Sequence, residues 1–500
     1  MANFLGRLQK GGFPEFILEG AFTGGDLAHF LEKQRFPLSG VCYDASSKKL
    51  QFYTDRLGFS PLYLYQKNGN IAWSNRLSAL FELKELEFTL NPDALEAFLQ
   101  CGYLPGDMTW FAEVLVLPAA SIWEYDMTMQ SWEKARYWTW ADIPQSDYSF
   151  EEAVDELAVR LRDMMQESLS AKTGTIGVSL SGGLDSRLLL ALAGEQKTVV
   201  SYTFGRADSW DVQIAAKVAK QAGISHRILL LEPKNWMDHR EEAIWRSDGM
   251  ASYMHLHHVP NYLENAQLSD WNLNGCCGDA LFKGFGNMKA SSVSMPEAHA
   301  VLGRFADQFP PNDPFYGNRQ SDAYWLDQHV RNCTLAAVRE WNQSLAQLTP
   351  FLDFRLIEFL YGLPVDYRLR NHLYSAMLLK HFPKLFKSIP WKLTGIPLHK
   401  TRLTEWALLL KVPQIIRRSG LVGNYQYTDY GSWMRQETAL LRWNKLLDSS
   451  DSEVLKTFAP NLKSTYLDPM LRKKRGGEEG LSRALTIAIW LRHLEARGVL

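Results

Sequence analysis

Residues Ser179-Leu180-Ser181-Gly182-Gly183-Leu184-Asp185-Ser186 combine a candidate anion cradle with a carboxylate. Gly182 and Gly183 carry no Cβ, so the backbone can turn tightly and close its N–H groups on an oxyanion. Leu188 to Ala193 (LLLALA) continues at helical density, which brings the positive end of a helix to the same place. Asp185 supplies what a Mg²⁺ bridging to phosphate oxygens needs. No Lys follows the glycines, so this is not the GxxxxGK[ST] nucleotide loop. The chemistry implied is the handling of a polyphosphate.

Such a loop has to be held at the end of a strand. Thr175 to Leu180 (TIGVSL) reads as that strand, and strand-like and helix-like segments alternate after it: Thr198 to Thr203, Asp211 to Ala222, Ser225 to Leu231, Trp236 to Ser247 and Trp271 to Gly275. This alternation predicts an α/β fold with a doubly wound parallel sheet and a site at the carboxyl ends of its strands. Ser181–Ser186, Phe204-Gly205 and Gly275–Asp279 would all lie at such ends. Asp208 and Asp211 read as caps of the following helix or as groups that approach the ligand, with the cap favoured for Asp211. Met254-His255-Leu256-His257-His258 invites a zinc reading, but its mixed spacing and lack of Cys or carboxylate partners favour a packed or substrate-facing segment.

At 500 residues the chain suggests two or three domains. A net charge of -1 gives no field for nucleic acid or an anionic membrane. Five cysteines (Cys42, Cys101, Cys276, Cys277, Cys333) without a CxxC pair predict free thiols in a reducing compartment. No secretory pattern or membrane-length apolar run is present, which points to the cytoplasm. Up to about Tyr148, short apolar runs (SGVCYD, LQFYTD, LYLYQ, NIAWS) predict antiparallel hairpins, with a tight turn at KNGN, 67–70. Helical patterns fall at 25–34 and 91–100. A layered α+β domain over residues 1–145 is expected, followed by a second domain over 146–500 that opens with an amphipathic helix at Glu151 to Leu169. The stretch from Met288 to about Gln320 reads as a loop over the pocket, and Thr404 to Leu500 as amphipathic helices with a basic run at 472–475.

The octapeptide resembles the pyrophosphate loop (PP-loop) of ATP pyrophosphatases, and its SGGLDS form is similar to that of the asparagine synthetase family, with its β-lactam synthetase and lasso-peptide cyclase relatives. That resemblance implies that Ser179, Ser181, Gly182, Gly183, Leu184, Asp185 and Ser186, with Phe204, Gly205 and Gly275, bind ATP and pyrophosphate, with ATP and Mg²⁺ as cofactors. Asn274 to Gly284 resembles the family's G-x-G-x-D-E-x-F-x-G word, whose Asp is the second carboxylate on Mg²⁺. This pairs Asp279 with Asp185, although Asp279 alone could equally cap a helix. Cys277 stands at the word's second Gly and Ala280 at its Glu. Thr349 to Phe359, with Gly362-Leu363-Pro364, resembles the family's VPFLD word, a mainly structural one with Asp353 as an N-cap. The family's Glu just ahead of it is Ala346 here, which leaves the general base unassigned. Lys392 matches the lysine that contacts the α-phosphate in the transition state, against an alternative as a solvated surface cation. A second family lysine falls on His372, with Arg370 nearby, and Asp248-Gly249 falls where relatives line the substrate pocket.

Tyr43-Asp44, Asp55 to Tyr65 (DRLGFSPLYLY) and Trp73 to Leu80 (WSNRLSAL) resemble the end of the family's N-terminal glutamine amidotransferase domain. Those glutaminases use an N-terminal Cys, whereas this sequence opens Met1-Ala2-Asn3-Phe4 and reaches Gly40-Val41-Cys42 early. The expectation is a folded domain without glutaminase activity. The resemblance implies an AMP-forming, ATP-dependent carbon–nitrogen ligase. It would adenylate a small-molecule or peptide carboxylate for attack by an amine, most like a β-lactam synthetase or lasso-peptide cyclase. The alternatives are ammonia-dependent amidation of a small acid or sugar acid, and a catalytically dead nucleotide-binding scaffold. No nucleic-acid or membrane partner is expected; a homodimer is compatible with the reading.

Overall fold

The computed structural model describes residues 5–8, 15–16, 26–283, 302–308, 313–400, 426–473 and 476–500. Ala2, residues 288–301 of the expected loop, the helical pattern over 404–425 and Lys474-Arg475 lie outside them.

The first unit is built from β1 (Leu5–Leu8), β2 (Glu15–Phe16), β3 (Ser39–Asp44), β4 (Lys49–Thr54), β5 (Tyr63–Lys67), β6 (Asn70–Ser74), β7 (Val114–Val116), β8 (Ser121–Asp126) and β9 (Ser131–Arg136). They form two antiparallel sheets, in the orders β2-β1-β6-β5-β7 and β3-β4-β8-β9. Their alternating side chains meet in one layer, where Leu50 and Phe52 of β4 pack with Leu64, Ile71, Trp73 and Trp123. Asn68 and Gly69, at φ 54° and 81°, make the expected tight turn between β5 and β6. The Asp55 carboxylate accepts the N–H groups of Leu57, Phe59 and Ser60 (2.9–3.1 Å), so the DRLGFS word is a buried, self-capped turn. Helix α1 (Leu27–Lys33) starts at Asp26. Helix α2 (Pro92–Cys101) starts at Asn91, whose side chain accepts the Asp93 N–H, and stops at Gly102 in the left-handed conformation.

The second unit opens with α3 (Phe150–Ser170), started by a capping box between Ser149 and Glu152. Then follow β10 (Ile176–Ser179), α4 (Asp185–Gly194), β11 (Val199–Gly205), α5 (Trp210–Ala222), β12 (His226–Leu230), β13 (Trp271–Leu273) and β14 (Ala346–Leu348). The strands are parallel, in the order β12-β11-β10-β13-β14. From β10 the chain winds outward through β11 and β12, then returns to place β13 on the other side. The order therefore reverses between β10 and β13, and in such sheets the ligand crevice opens at that reversal. Both the layered antiparallel unit and the doubly wound unit are as expected. No described helix is long and apolar enough to cross a membrane.

The two units share their cores. The helix Glu478–Ala496 brings Trp490, fully buried, against Phe81 and Trp110 of the first unit and stacks it on Trp245 (5.4 Å, 29°). Gly249, at φ 71°, lies so close to Trp490 that a Cβ would meet the ring at 2.7 Å. Asp248, next to it, has its carboxylate taken by the N–H groups of Leu77 and Ser78, each at 3.0 Å, and its carbonyl by Trp110 Nε1 at 2.9 Å. Asp248 thus fastens the two units together, which its expected place in a substrate pocket does not convey. Arg35 Nε reaches Asp353 (2.5 Å) and Arg56 reaches Glu358 (2.6 Å) across the same seam. Asp353 is the N-cap of the helix Phe354–Gly362, as expected, accepting the Arg355 N–H at 2.9 Å.

Candidate active site at the switch point

At the end of β10, Ser179 Oγ donates to Asn272 Oδ1 (2.8 Å) and shares a longer hydrogen bond with the Tyr202 hydroxyl (3.3 Å). Asn272 passes the connection on to Gln347 Oε1 at 2.7 Å. Ser179 therefore ties neighbouring strands together beneath the loop. Above it, the Ser181 N–H donates to Ser186 Oγ (3.0 Å) and the Gly183 N–H to Ser181 Oγ (3.2 Å), so the turn is braced by its own hydroxyls. Leu184 is buried at the cap position of α4.

The Gly182 N–H donates to Asp211 Oδ1 at 3.1 Å, and the other oxygen of Asp211 is paired with the Lys392 ammonium. The cap of α5 is Ser209, which accepts the Val212 N–H, and not Asp211 as expected. One turn position further in, Asp211 is 4% exposed and reaches the loop. A carboxylate oxygen thus occupies a loop amide. Lys392 is fixed to the loop as well: its N–H donates to the Gly182 carbonyl (3.1 Å), and a Cβ on Gly182 would lie 3.0 Å from Lys392 Cβ. Behind the loop sits Arg187, fully buried, whose guanidinium donates to the carbonyls of Gly182, Leu385, Ile389 and Pro390 (2.9–3.4 Å). Burial brings its guanidinium down to about 10. Among the described residues no carboxylate pairs with it, so its charge adds to the positive field of the loop.

Asp185 begins α4 and accepts the Tyr374 hydroxyl at 3.0 Å. Burial, and then the Asp185 charge, push that phenol well above its usual range, so it remains a donor. The loop after β13 lies against this helix start: a Cβ on Gly278 would stand 2.7 Å from Asp185 Cγ, and one on Gly275 3.2 Å from the Ser186 nitrogen. Asp279 lies in the first turn of the helix Gly278–Lys283. Phe282 of that helix stacks on Tyr374 (4.0 Å, 6°), so one tyrosine braces both acidic segments. Among the described residues no group of three or more His, Cys, Asp or Glu could hold a metal ion. A hard cation between Asp185 and Asp279 would complete its shell from phosphate oxygens and water, which is how Mg²⁺ is commonly held.

Phe204 and Gly205 end β11, with Gly205 at φ 149° under Tyr427; a Cβ there would meet Tyr427 Cβ at 2.9 Å. The Lys392 ammonium lies 5.2 Å from the Tyr427 ring. The histidine segment is packed, as expected: His257 Nδ1 meets the Tyr430 hydroxyl (2.9 Å), while His258 pairs with Glu340 (2.5 Å) and stacks on Trp341 (4.5 Å). Glu340 is also held by Arg246, so it is no substitute for the carboxylate missing at Ala346. His372 stacks on Phe150 at the start of α3. Arg187, Tyr374 and Tyr427 escaped the sequence reading, whereas Asp211 was singled out but favoured as a cap, the position that Ser209 takes.

Residues 156–349 match the family model described as asparagine synthase, and residues 30–138 the one described as a glutamine amidotransferase domain. Over these two stretches the chain is similar to the asparagine synthetase family. A putative glutamine-hydrolysing asparagine synthetase 2 of Methanocaldococcus jannaschii is 26% identical to this chain over 143 residues, 28% of this chain and 27% of that protein. A putative glutamine-hydrolysing asparagine synthetase of Mycobacterium tuberculosis is 23% identical over 245 residues, 47% of this chain and 37% of the relative. Asparagine synthetase 2 of Bacillus subtilis is 22% identical over 214 residues, 39% and 29% of the two chains. The matched stretches thus span 27–37% of the length of these relatives.

Proposed function

We propose that the protein is an AMP-forming, ATP-dependent amide ligase that adenylates a carboxylate, releases pyrophosphate and lets an amine attack the acyl adenylate. What supports this reading is one braced loop at the switch point of the sheet, with Lys392 bonded through its N–H to the Gly182 carbonyl and Gly278, the residue before Asp279, packed against Asp185. A free carboxylate is a poor electrophile, and joining it to AMP supplies a leaving group. Mg²⁺, carried in on the phosphates, would draw Asp185 and Asp279 as its protein ligands and offset their charge. Lys392, aimed by Asp211, would stabilise charge that moves onto the α-phosphate and the departing pyrophosphate. Arg187 adds a fixed positive charge from behind.

The amine is free in solution or carried by the substrate, as in a β-lactam synthetase or a peptide cyclase. What supports this is the state of the first unit's described thiols: burial pushes both Cys42 and Cys101 up to about 11, so neither is a thiolate nucleophile at neutral pH. The five free cysteines suit a reducing, cytoplasmic setting. Pyrophosphate release from MgATP in the presence of candidate carboxylates tests the reading. Asp185→Asn and Asp279→Asn should each reduce release about 100-fold or more. Release that survives both substitutions removes the metal assignment, and no release with any acid and no ATP binding leaves only a scaffold.

A further inference from the structure

At the seam between the two units lies a cavity of about 770 Å³, within the range of metabolite-sized sites. Tyr63, Asn75 and Arg76 line it from the first unit, and Arg339, Asn342 and Gln347 from the second. None of its walls comes from Ser181–Ser186, Asp279 or Lys392, so it is distinct from the nucleotide crevice.

Arg339 is the group without a local explanation. Its guanidinium donates to the Arg331 carbonyl at 3.3 Å, and among the described residues no carboxylate pairs with it. Its neighbour Arg331 shows what a satisfied interface arginine looks like here, with Asp327 (3.0 Å), Asp107 (3.2 Å) and the Leu117 carbonyl (2.8 Å) around it. The acid facing Arg339, Asp248, is already committed to two backbone amides. Burial lowers the guanidinium's hold on its proton, as for any cation short of a counter-charge. A cation placed in an interface without a partner is costly, and the planar guanidinium fork matches a carboxylate.

We propose that this cavity binds a small organic carboxylate with Arg339 as its anchor. Asn342 and Asn75 offer further amide groups in the same walls. Gln347 links the cavity to Asn272 and Asn274 beneath the catalytic loops, at 2.7 and 3.2 Å. The ligand is either the acid to be activated, on its way to the crevice, or a separate effector with the same chemistry. The proposal rests on the cavity and not on the ligase reading.

Calorimetric titration of the full chain with acetate, L-aspartate and inorganic phosphate, at fixed ionic strength, tests it. A carboxylate probe should bind saturably at one site, and Arg339→Gln should weaken it about tenfold or more, with partial recovery in Arg339→Lys. ATP affinity should be unchanged in both variants. Ala171→Trp, on the exposed rim of the cavity, keeps Arg339 in place and should block the same probe. No carboxylate binding, binding of phosphate alone, or unchanged wild-type affinity in both Arg339→Gln and Ala171→Trp overturns the proposal. Pyrophosphate release separates the two sources: a KM for the acid raised about tenfold at constant kcat marks the substrate path. An unchanged KM with loss of any response to the added carboxylate marks an effector site. If release is never seen, the ligase reading falls while the titration still decides the cavity.

Discussion

Asp211 holds the Gly182 amide with one oxygen and the Lys392 ammonium with the other, so on the proposed function a phosphate arriving at the loop would meet a cation already aimed. Lys392→Met should reduce pyrophosphate release about 100-fold. Asp211→Asn keeps the shape but weakens the pair, and should lower kcat about tenfold with little change in the KM for ATP. A variant that loses thermal stability at unchanged kcat would assign Asp211 a purely structural part. Asp185, Asp279 and Lys392 could be singled out as candidates because each sits in a contiguous word with a characteristic neighbourhood. Arg187 and Tyr374 were not, because their partners lie about 190 to 200 residues away in sequence, and no local pattern records such a pairing. Asp211 was misassigned because a helix start offers several cap-like positions and only the fold shows which one faces the loop.

Among the elements of the first unit, the strands that coincide with short apolar runs bounded by turn residues were readable, from β3 to β6. Strands β7 to β9 were not singled out, and β14 was missed. β9 (SWEKAR) is almost wholly exposed and so shows no apolar alternation; β14 has three residues, too few to show any period. The seam between the units depends on short segments of this kind. Asp248→Ala should cost about 3 kcal/mol by leaving the Leu77 and Ser78 amides unmet. Asp248→Asn, which keeps an acceptor and tolerates the positive φ of 55°, should cost less. Chemical denaturation of the three proteins ranks these effects. His329 stacks on Trp325 (4.6 Å) and meets Tyr103 of the first unit edge-on (5.4 Å). Burial lowers its imidazole to about 4, and His257 is depressed in the same direction. The unfolded chain takes up these protons near pH 6.5, whereas the folded chain resists until far lower pH. Stability is therefore present above pH 6.5 and is lost as the pH falls from there toward 4. His329→Phe keeps the stacking and should remove on the order of 2 kcal/mol of that acid dependence, after discounting for the ring's partial exposure.

For the whole molecule, sequence patterning indicated two units but not how closely they merge, since a residue buried between units has the same apolar signature as one buried within either. The clusters around Trp490 and around Trp138 and Trp140 each take residues from both. Calorimetry should accordingly show one unfolding transition, and Trp490→Ala should destabilise the whole by about 3–5 kcal/mol. Two separate transitions would contradict the merged core.

The place of the helix Glu478–Ala496 also matters for how the chain is made. Phe81 and Trp110 leave the ribosome hundreds of residues before Trp490, the side chain that covers them. Through most of translation the first unit therefore exposes an aromatic surface whose cover has not yet been synthesised, and such surfaces recruit chaperones or aggregate. A ribosome stalled before residue 478 should present a nascent chain that binds holdase chaperones and is cut readily by protease within the first unit.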